Sequence, residues 1–583
     1  MASSTQVAPE LALEYVHSPL RVIHKLYDEH ASENNGSCVS NFGKLAQEHF
    51  QTVFANSNAL QHIPVYDQAK VPNELKSGSL VRFRCMVQDP SYGEELHLTI
   101  ARVLNSETGE TQQKFSQFTD MEHTLADGWE VDYGSVHNVF TEKEVAYCVS
   151  IPGQSAWTQL DQKDNLESAM EAMSLTGTGE ESKRTGLSVK YPISGAAHSA
   201  ALVKFYAPNT APKVSSAIDV IGIYELGRNA KAQDSGNEDE LWPCIHAIYY
   251  SEVRPQALHS MLPELQINDY ASRHNMCLAH LTSVLGGDDL AAQYLLLHLL
   301  SKTVRVQDAK VGKLSLNLIG IPTSDQEQSS KAGFTLINPA SKWISDAISQ
   351  LVPYNISIPF DLKLLNKSSF LPNAEDGDLQ AGTLQLVQGT EVLCDETCLS
   401  NGTLEERGVR NLHAVQTAII DQQVTYLYPF QPIEMPTNLR FLVLSTGKSI
   451  LHNDCDVYLS NSAKQFFKNM QSSSPVEHQL RPLDPMHTEQ LRQYLECARH
   501  MEFSIPQPVS DFISNEYAQT RRAAHEEGKK MMTQEELALT ITVARLISIS
   551  KGESELSLAS WNEAVELERC RKERNLQTKS SSS

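Results

Sequence analysis

The chain is 583 residues long, 41% apolar and 20% charged, with 71 Asp and Glu against 48 Lys and Arg and a formal charge of −23. This is the composition of a folded globular protein, enough for roughly three or four domains at about 100–200 residues each. The acidity argues against autonomous DNA binding, because DNA binders neutralise phosphates with clustered Lys and Arg, and here those residues are dispersed. The one dense basic run (Arg569, Arg571, Lys572, Arg574) alternates with acids, so a protein partner, and a basic one, fits the charge better. Ten scattered cysteines contain no CxxC pair and read as buried thiols of a reducing compartment. The first residues carry neither the basic segment nor the apolar run of a secretory signal. The longest apolar stretch, 290–300, is interrupted by Gln293 and His298 and falls short of the ~20 residues of a membrane span. A soluble, intracellular protein is expected.

Residues 18–60 read as helical: Ser18 is placed to cap, Pro19 occupies the first helical position, and Leu20, Ile23 and Leu26 recur at helical spacing. From residue 79 the period becomes two. Val81, Phe83, Cys85 and Val87 share one face of SLVRFRCMVQ, with Arg82 and Arg84 on the other, and further runs follow at ELHLTIARVL and EVAYCVSIPG. This spacing predicts a small antiparallel barrel or sandwich. Residues 160–190 are polar and acidic and read as a disordered linker. A second β-rich module is expected from AALVKFYAP and AIDVIGIYELG, patterned like the opening of an OB-fold barrel and closing near LWPCIHAIYY after the acidic loop 231–240.

From about residue 270 strands and helices alternate. GGDDLAAQYLLLHLLSKT is a buried helix capped by Asp288 or Asp289, followed by the strand KLSLNLIGIP and the helix ASKWISDAISQLV. The segment GTLQLVQGTEVLCDE comes next, then a helix (NLHAVQTAIIDQQ), a hairpin (VTYLYPFQPIEM) and the buried strand NLRFLVLST. This alternation predicts a parallel-type sheet covered on both faces. The last hundred residues are helical, with a capping box at Thr533 and Glu536.

The chemistry is concentrated in what is missing. Val392, Leu393 and Cys394 run into Asp395-Glu396, as a P-loop ATPase presents a Mg²⁺-holding Asp and a water-polarising Glu. The phosphate half, G-x-x-x-x-G-K-[ST], occurs nowhere. After the strand 314–319 the chain reads GIPTSDQEQSSKAG, where Asp325 and Glu327 would repel phosphate. Gly312-Lys313 precedes its strand. Gly447-Lys448-Ser449 follows one, but Leu442 stands where the first glycine is needed, so it reads as a polar turn. Asp395 and Glu396 therefore read as a relic or a cap rather than a metal site, with no cofactor and no catalytic or metal residue assigned. Cys394 and Cys398 lack a partner pair for zinc and read as core thiols, and His298 reads as a core histidine. Trp157 reads as a core anchor, with base stacking as its alternative.

The residues together resemble the mini-chromosome maintenance (MCM) complex-binding protein family. The resemblance runs through HSPLRVIHKLY, SGSLVRFRCMVQD, YCVSIPGQSAW, LWPCIHAI, the 286–322 segment, AGTLQLVQGTEVLCDET, GVRNLHAVQTAI and TVARLISISKGESELSLASWNEAVELE, in that order from about 17 to about 570. It implies a nuclear, non-enzymatic factor similar to an inactive MCM helicase subunit. In that reading Asp395-Glu396 stand at the Walker B strand, the following hairpin at the pre-sensor insertion, NLRFLVLST at the sensor strand, and the C-terminal helices at the lid. The departures are the absent phosphate loop, Ser445-Thr446 in place of a sensor Asn, no basic finger in LHNDCDVYLS, and no paired cysteines for an N-terminal zinc.

The implied roles are binding of MCM subunits, their assembly or removal from chromatin, DNA replication and sister-chromatid cohesion, with neither DNA nor membrane as a partner. The expected fold is α+β and multidomain. It comprises an N-terminal helical and β-rich domain (1–160), an acidic linker (161–190), an OB-like module (191–260), a degenerate AAA-like α/β core (261–475) and a C-terminal helical domain (476–583). Two other readings stay open on the residues: an ATPase with an unorthodox phosphate loop, and a single-stranded nucleic-acid binder using its β modules.

Overall fold

Pro19 opens its helix at the first turn, where a missing N–H costs nothing, as its position in the sequence predicts. Helices α1 (Pro9–His17), α2 (Pro19–Glu33), α3 (Phe42–Val53) and α4 (Ser57–Leu60) form the N-terminal layer. The computed structural model describes residues 9–33, 42–55, 57–68, 75–120, 128–160, 190–206, 212–228, 241–253, 267–306, 309–323, 338–375, 377–472, 484–528 and 530–582. The linker expected at 161–190 and the loop 231–240 lie outside the described residues, apart from Lys190. Ile23, Phe42, Ala46 and Phe50 of the helices pack against Leu80, Ile100, Ile223 and Ile248 of the sheet that follows.

That sheet contains β1 (Leu80–Asn105), β2 (Thr111–Phe115), β3 (Trp129–Val131), β4 (Val139–Ser150), β5 (Ala200–Phe205), β6 (Ala217–Arg228) and β7 (Leu241–Glu252). Strands β1, β4, β5, β7 and β6 pair in that order, and β6 pairs back onto β1, which closes a barrel. All contacts are antiparallel except β5 with β7. Hydrogen bonding thus joins in one sheet the strands that sequence patterning divides between two modules. The physical reason is strand number: the first segment supplies only two barrel strands and the second three, so neither closes alone. The runs SLVRFRCMVQ and ELHLTIARVL are likewise one strand, β1, bent by register shifts at Val87/Asp89, Asp89/Gly93 and Leu98/Ile100. Val81, Phe83, Cys85 and Val87 do share the interior face. Arg82 and Arg84 both reach Asp219 on β6, at 2.6 and 3.0 Å. At the shifted register of β6 and β7, a Cβ on Gly222 would lie 2.4 Å from the His246 carbonyl oxygen, so only glycine permits that approach.

Charge is buried in the barrel wall. Lys204, 1% exposed, and Lys143, 4% exposed, both pair with Glu95 and Asp120. Burial alone would raise the carboxyl pKa of Glu95 and Asp120, but these ammonium groups, with His246 beside Asp120, hold both below the usual range.

The second half opens with α5 (Ile267–Val284) and α6 (Asp289–Leu300), then the hairpin β8 (Val304–Val306) and β9 (Ala309–Val311). Asp288 caps α6 by accepting from the Ala291 N–H at 3.1 Å. A sheet follows in β10 (Leu316–Ile319), β11 (Asn355–Pro359), β12 (Glu391–Asp395), β15 (Arg440–Ser445) and β16 (Cys455–Tyr458). Its spatial order is β11-β12-β15-β10-β16 and every pairing is parallel. Continuous apolar strands such as RFLVLS satisfy both faces. Leu442 and Leu444 join one core, Phe441 and Val443 the other.

Helices α7 (Pro339–Ser349), α8 (Leu362–Lys367) and α9 (Glu406–Asp421) connect these strands, and β13 (Gln423–Leu427) with β14 (Pro432–Pro436) forms the expected hairpin. Helices α10 (Asn461–Ser472), α11 (Pro485–Arg499), α12 (Gln507–Glu526), α13 (Gln534–Ser550) and α14 (Leu558–Ser582) complete the chain. The capping box of Thr533 and Glu536 is present on α13. A single apolar core runs from α6 and the sheet into α11, α13 and α14, so a boundary at 475/476 would cut through packed side chains. Among the described residues no helix is long and apolar enough to cross a membrane.

Glu391 at the start of β12 is fully buried. His298 Nε2 lies 2.6 Å from its Oε1, and Arg440 Nε donates to its Oε2 at 2.9 Å. Removing one partner of a buried ion pair leaves the other charge uncompensated, at about 3–5 kcal/mol. Glu391→Gln is therefore expected to lose about 3–5 kcal/mol in denaturant unfolding. A loss below about 1 kcal/mol would mean that Arg440 finds compensation elsewhere.

Candidate functional site

In open parallel sheets, ligands bind beyond the carboxyl ends of the strands. Here that edge brings together the ends of β12 (Asp395), β15 (Ser445) and β10 (Ile319). Phosphate binding would require free N–H groups after β10. Those of Gly320 and Ile321 instead donate to the Ser445 carbonyl, at 2.8 and 3.2 Å. Gly320 has φ +104°, and a Cβ there would sit 2.5 Å from Lys464 Cε on α10, so a neighbouring side chain covers the turn. The Pro322 carbonyl accepts from Asn338 and Gln471. The rest of the segment, from Ser324 to Gly333 with Asp325 and Glu327, lies outside the described residues.

Asp395 is wholly buried and caps the single turn Glu396–Cys398. Its Oδ1 accepts from the Thr397 N–H at 3.0 Å and from the Thr397 hydroxyl at 2.6 Å, and its Oδ2 from the Cys398 thiol at 3.4 Å. The Thr397 hydroxyl accepts in turn from Asn338, whose Oδ1 caps α7. Glu396 accepts from the Ser449 hydroxyl at 2.7 Å and from the Ile450 N–H at 3.3 Å. Burial raises the pKa of Asp395, and raises that of Glu396 from its ordinary 4.5 to about 7. Two carboxylates whose acceptor positions are met by neutral protein donors, in surroundings that disfavour their charge, form a cap and a loop clasp. At the end of β15 the Ser445 hydroxyl donates to Asn317, which donates to Asp456 across β10 and β16.

The residues flagged in the sequence separate cleanly. Gly447-Lys448-Ser449 forms a turn after β15, and its Ser449 holds Glu396, a link over 53 positions that no local pattern reveals. Cys394 is buried, and the nine described cysteines are free thiols. Among the described residues no group of three or more His, Cys, Asp or Glu is placed to hold a metal ion. Trp157 donates to the Ser349 carbonyl at 3.1 Å and lies 4.1 Å from the Arg492 guanidinium, which ties the end of the barrel to α7 and α11. His298 is the core histidine described above.

The architecture is thus a mixed α/β one in which Asp395 and Glu396 are engaged by neighbouring protein groups. A family model described as "Mini-chromosome maintenance replisome factor" matches residues 50–188 and 162–575, and the chain belongs to that family. It is similar to the mini-chromosome maintenance complex-binding protein of Arabidopsis thaliana, 28% identical over 90% of this chain and 92% of that protein. The proteins of the same name from Salmo salar (26% identical, 97% and 98% covered) and Homo sapiens (25% identical, 92% and 94% covered) are also similar along their lengths.

The Glu396 pKa fixes a pH dependence. A carboxyl raised in the fold takes up a proton that the unfolded chain has released, so stability falls as pH rises from about 4.5 to about 7 and levels off above. Glu396→Gln mimics the neutral acid. The variant is expected to match the parent near pH 4 and to exceed it by about 2–3 kcal/mol at pH 8. Parallel unfolding curves at the two pH values check this; an equal difference at both would reject the raised value.

Proposed function

We propose that this chain binds MCM helicase subunits as a catalytically silent subunit mimic. The supporting observation is the carboxyl edge, which keeps an ATPase-like strand order while its post-β10 N–H groups and both carboxylates are engaged by the protein itself. Numbered by appearance, the parallel strands lie in the order 2-3-4-1-5, the arrangement of AAA-type cores. The barrel strands run 1-2-3-5-4 with the third parallel to the fifth, as in an OB-fold. In this reading the β13–β14 hairpin stands for the pre-sensor insertion and the C-terminal helices for a lid fused to the core. The working division is a helix-capped barrel over 9–253 and an α/β-helical unit over 267–582, in place of five separate segments.

A mimic of this kind docks by surface complementarity, so its joint does not follow its own nucleotide cycle. The charge of −23 keeps it off DNA and matches basic surfaces that a helicase subunit turns to the strand. The relatives' names point to the MCM complex as partner. Support for subunit assembly or removal from chromatin, replication and sister-chromatid cohesion, in the nucleus, follows from that partnership.

Co-expression with individual MCM subunits and size-exclusion chromatography tests this. A stoichiometric complex is expected, unchanged when ATP is omitted and unchanged by Asp395→Asn or Glu396→Gln. Loss of the complex in either variant, or on removal of ATP bound by this chain, would favour the active-ATPase reading.

A further inference from the structure

A cavity of about 510 Å³ lies on the opposite side of the sheet from the ATPase-like edge. Pro353, Gly389 and Asn438 line it, just ahead of β11, β12 and β15, whose first residues Asn355, Glu391 and Arg440 are aligned in register. The start of β6 and the end of β7 supply a second wall, and the C-terminal end of α11 a third. The barrel, the parallel sheet and the C-terminal helices therefore all meet there. Its volume falls in the range of small-molecule sites, about 300–1,000 Å³.

The lining is amphipathic, with a sign opposite to that of the chain. Four cations (Lys213, Lys302, Arg440, Arg499) face two carboxylates (Glu252, Glu496). Arg499 pairs with Glu496 at 2.6 Å, and Arg440 with Glu391 behind the wall. Lys302 has no acid partner among the described residues. Burial holds its pKa below the ordinary lysine value; the Glu496 carboxylate offsets part of this, and Arg499 and Arg545 add to the lowering. Arg440 uses Nε on Glu391 and Nη2 on the Gly389 carbonyl, which leaves Nη1 without a partner among the described residues. The buried Leu384, Leu386 and Val424, with Met435, also line the cavity.

An ammonium outside any ion pair and a guanidinium N–H beside apolar side chains are what an organic anion requires: charge-assisted bonds for its head and a dry surface for its body. We propose that this amino-edge cavity binds a small amphipathic anion, a carboxylate or phosphate on an aryl or acyl body, with Lys302 and Arg440 on the head group. Such a ligand would bridge barrel and sheet. The site is independent of the carboxyl edge and of the subunit-mimic reading.

Calorimetric titration of the full chain with 2-naphthoate, 2-naphthyl phosphate and neutral 2-naphthol tests the site. Saturable one-to-one binding of at least one anion is expected, at least tenfold tighter than naphthol, and the better anion identifies the head group. Lys302→Glu is expected to weaken that anion at least tenfold, with the melting temperature reporting whether the variant chain stays folded. Lys213→Glu, at an exposed position on the rim, is expected to weaken it about threefold and serves if the first variant misfolds. Equal affinity for naphthol, an unchanged Kd in a folded Lys302→Glu chain, or no saturable binding of either anion would overturn the proposal.

Discussion

The second half of the molecule depends on one buried carboxylate. Glu391 begins the central strand β12, with Asn355 and Arg440 as its register neighbours on β11 and β15. Burial alone would raise its pKa, yet His298 and Arg440 hold it below the usual carboxyl range. His298 belongs to α6 and also engages the Leu314 carbonyl through Nδ1 at 2.6 Å, so this cluster clamps the most apolar helix onto the sheet. Arg499 of α11 extends the tie by donating to the Leu299 carbonyl at 2.7 Å. Such clusters contribute little net stability over an apolar replacement, but they fix one arrangement and penalise others.

The two ends of β12 show how local surroundings decide what an acid does. At its start, Glu391 faces His298 and Arg440, which favour its charged form. At its end, Asp395 and Glu396 face hydroxyls and backbone N–H groups, and burial shifts both toward the neutral form. An ATPase needs the reverse at that end: ionised carboxylates beside a metal and free N–H groups beside phosphate. Here the two carboxylates accept hydrogen bonds from Thr397, Ser449 and Ile450 instead.

Much of this was legible because it is local. The cap at Asp288, the capping box at Thr533 and Glu536, the all-apolar α6 and the alternation of Val81, Phe83, Cys85 and Val87 each follow from spacing alone. The absence of a phosphate loop led to reading Asp395-Glu396 as a relic or a cap, and Asp395 is a cap, but that absence says nothing of what the two side chains touch. What stayed hidden was pairing. Alternation assigns a strand face but names no partner, so the closure of one barrel by strands 80–150 and 200–252 was invisible. For the same reason the link from Ser449 to Glu396, and that from His298 to Glu391 across 93 positions, had no sequence signal. The fusion of the C-terminal helices with the sheet core was hidden too, because an amphipathic stripe does not say which surface covers it.

A mimic must occupy the place of the subunit it resembles, and competition tests this most directly. A preformed pair of MCM subunits would be titrated with the full chain and the species read by native mass spectrometry. The account predicts exchange: one subunit leaves as this chain binds the other, in complexes of one to one. A stable species holding both original subunits together with this chain would contradict it, and would make the protein an added adaptor rather than a substitute.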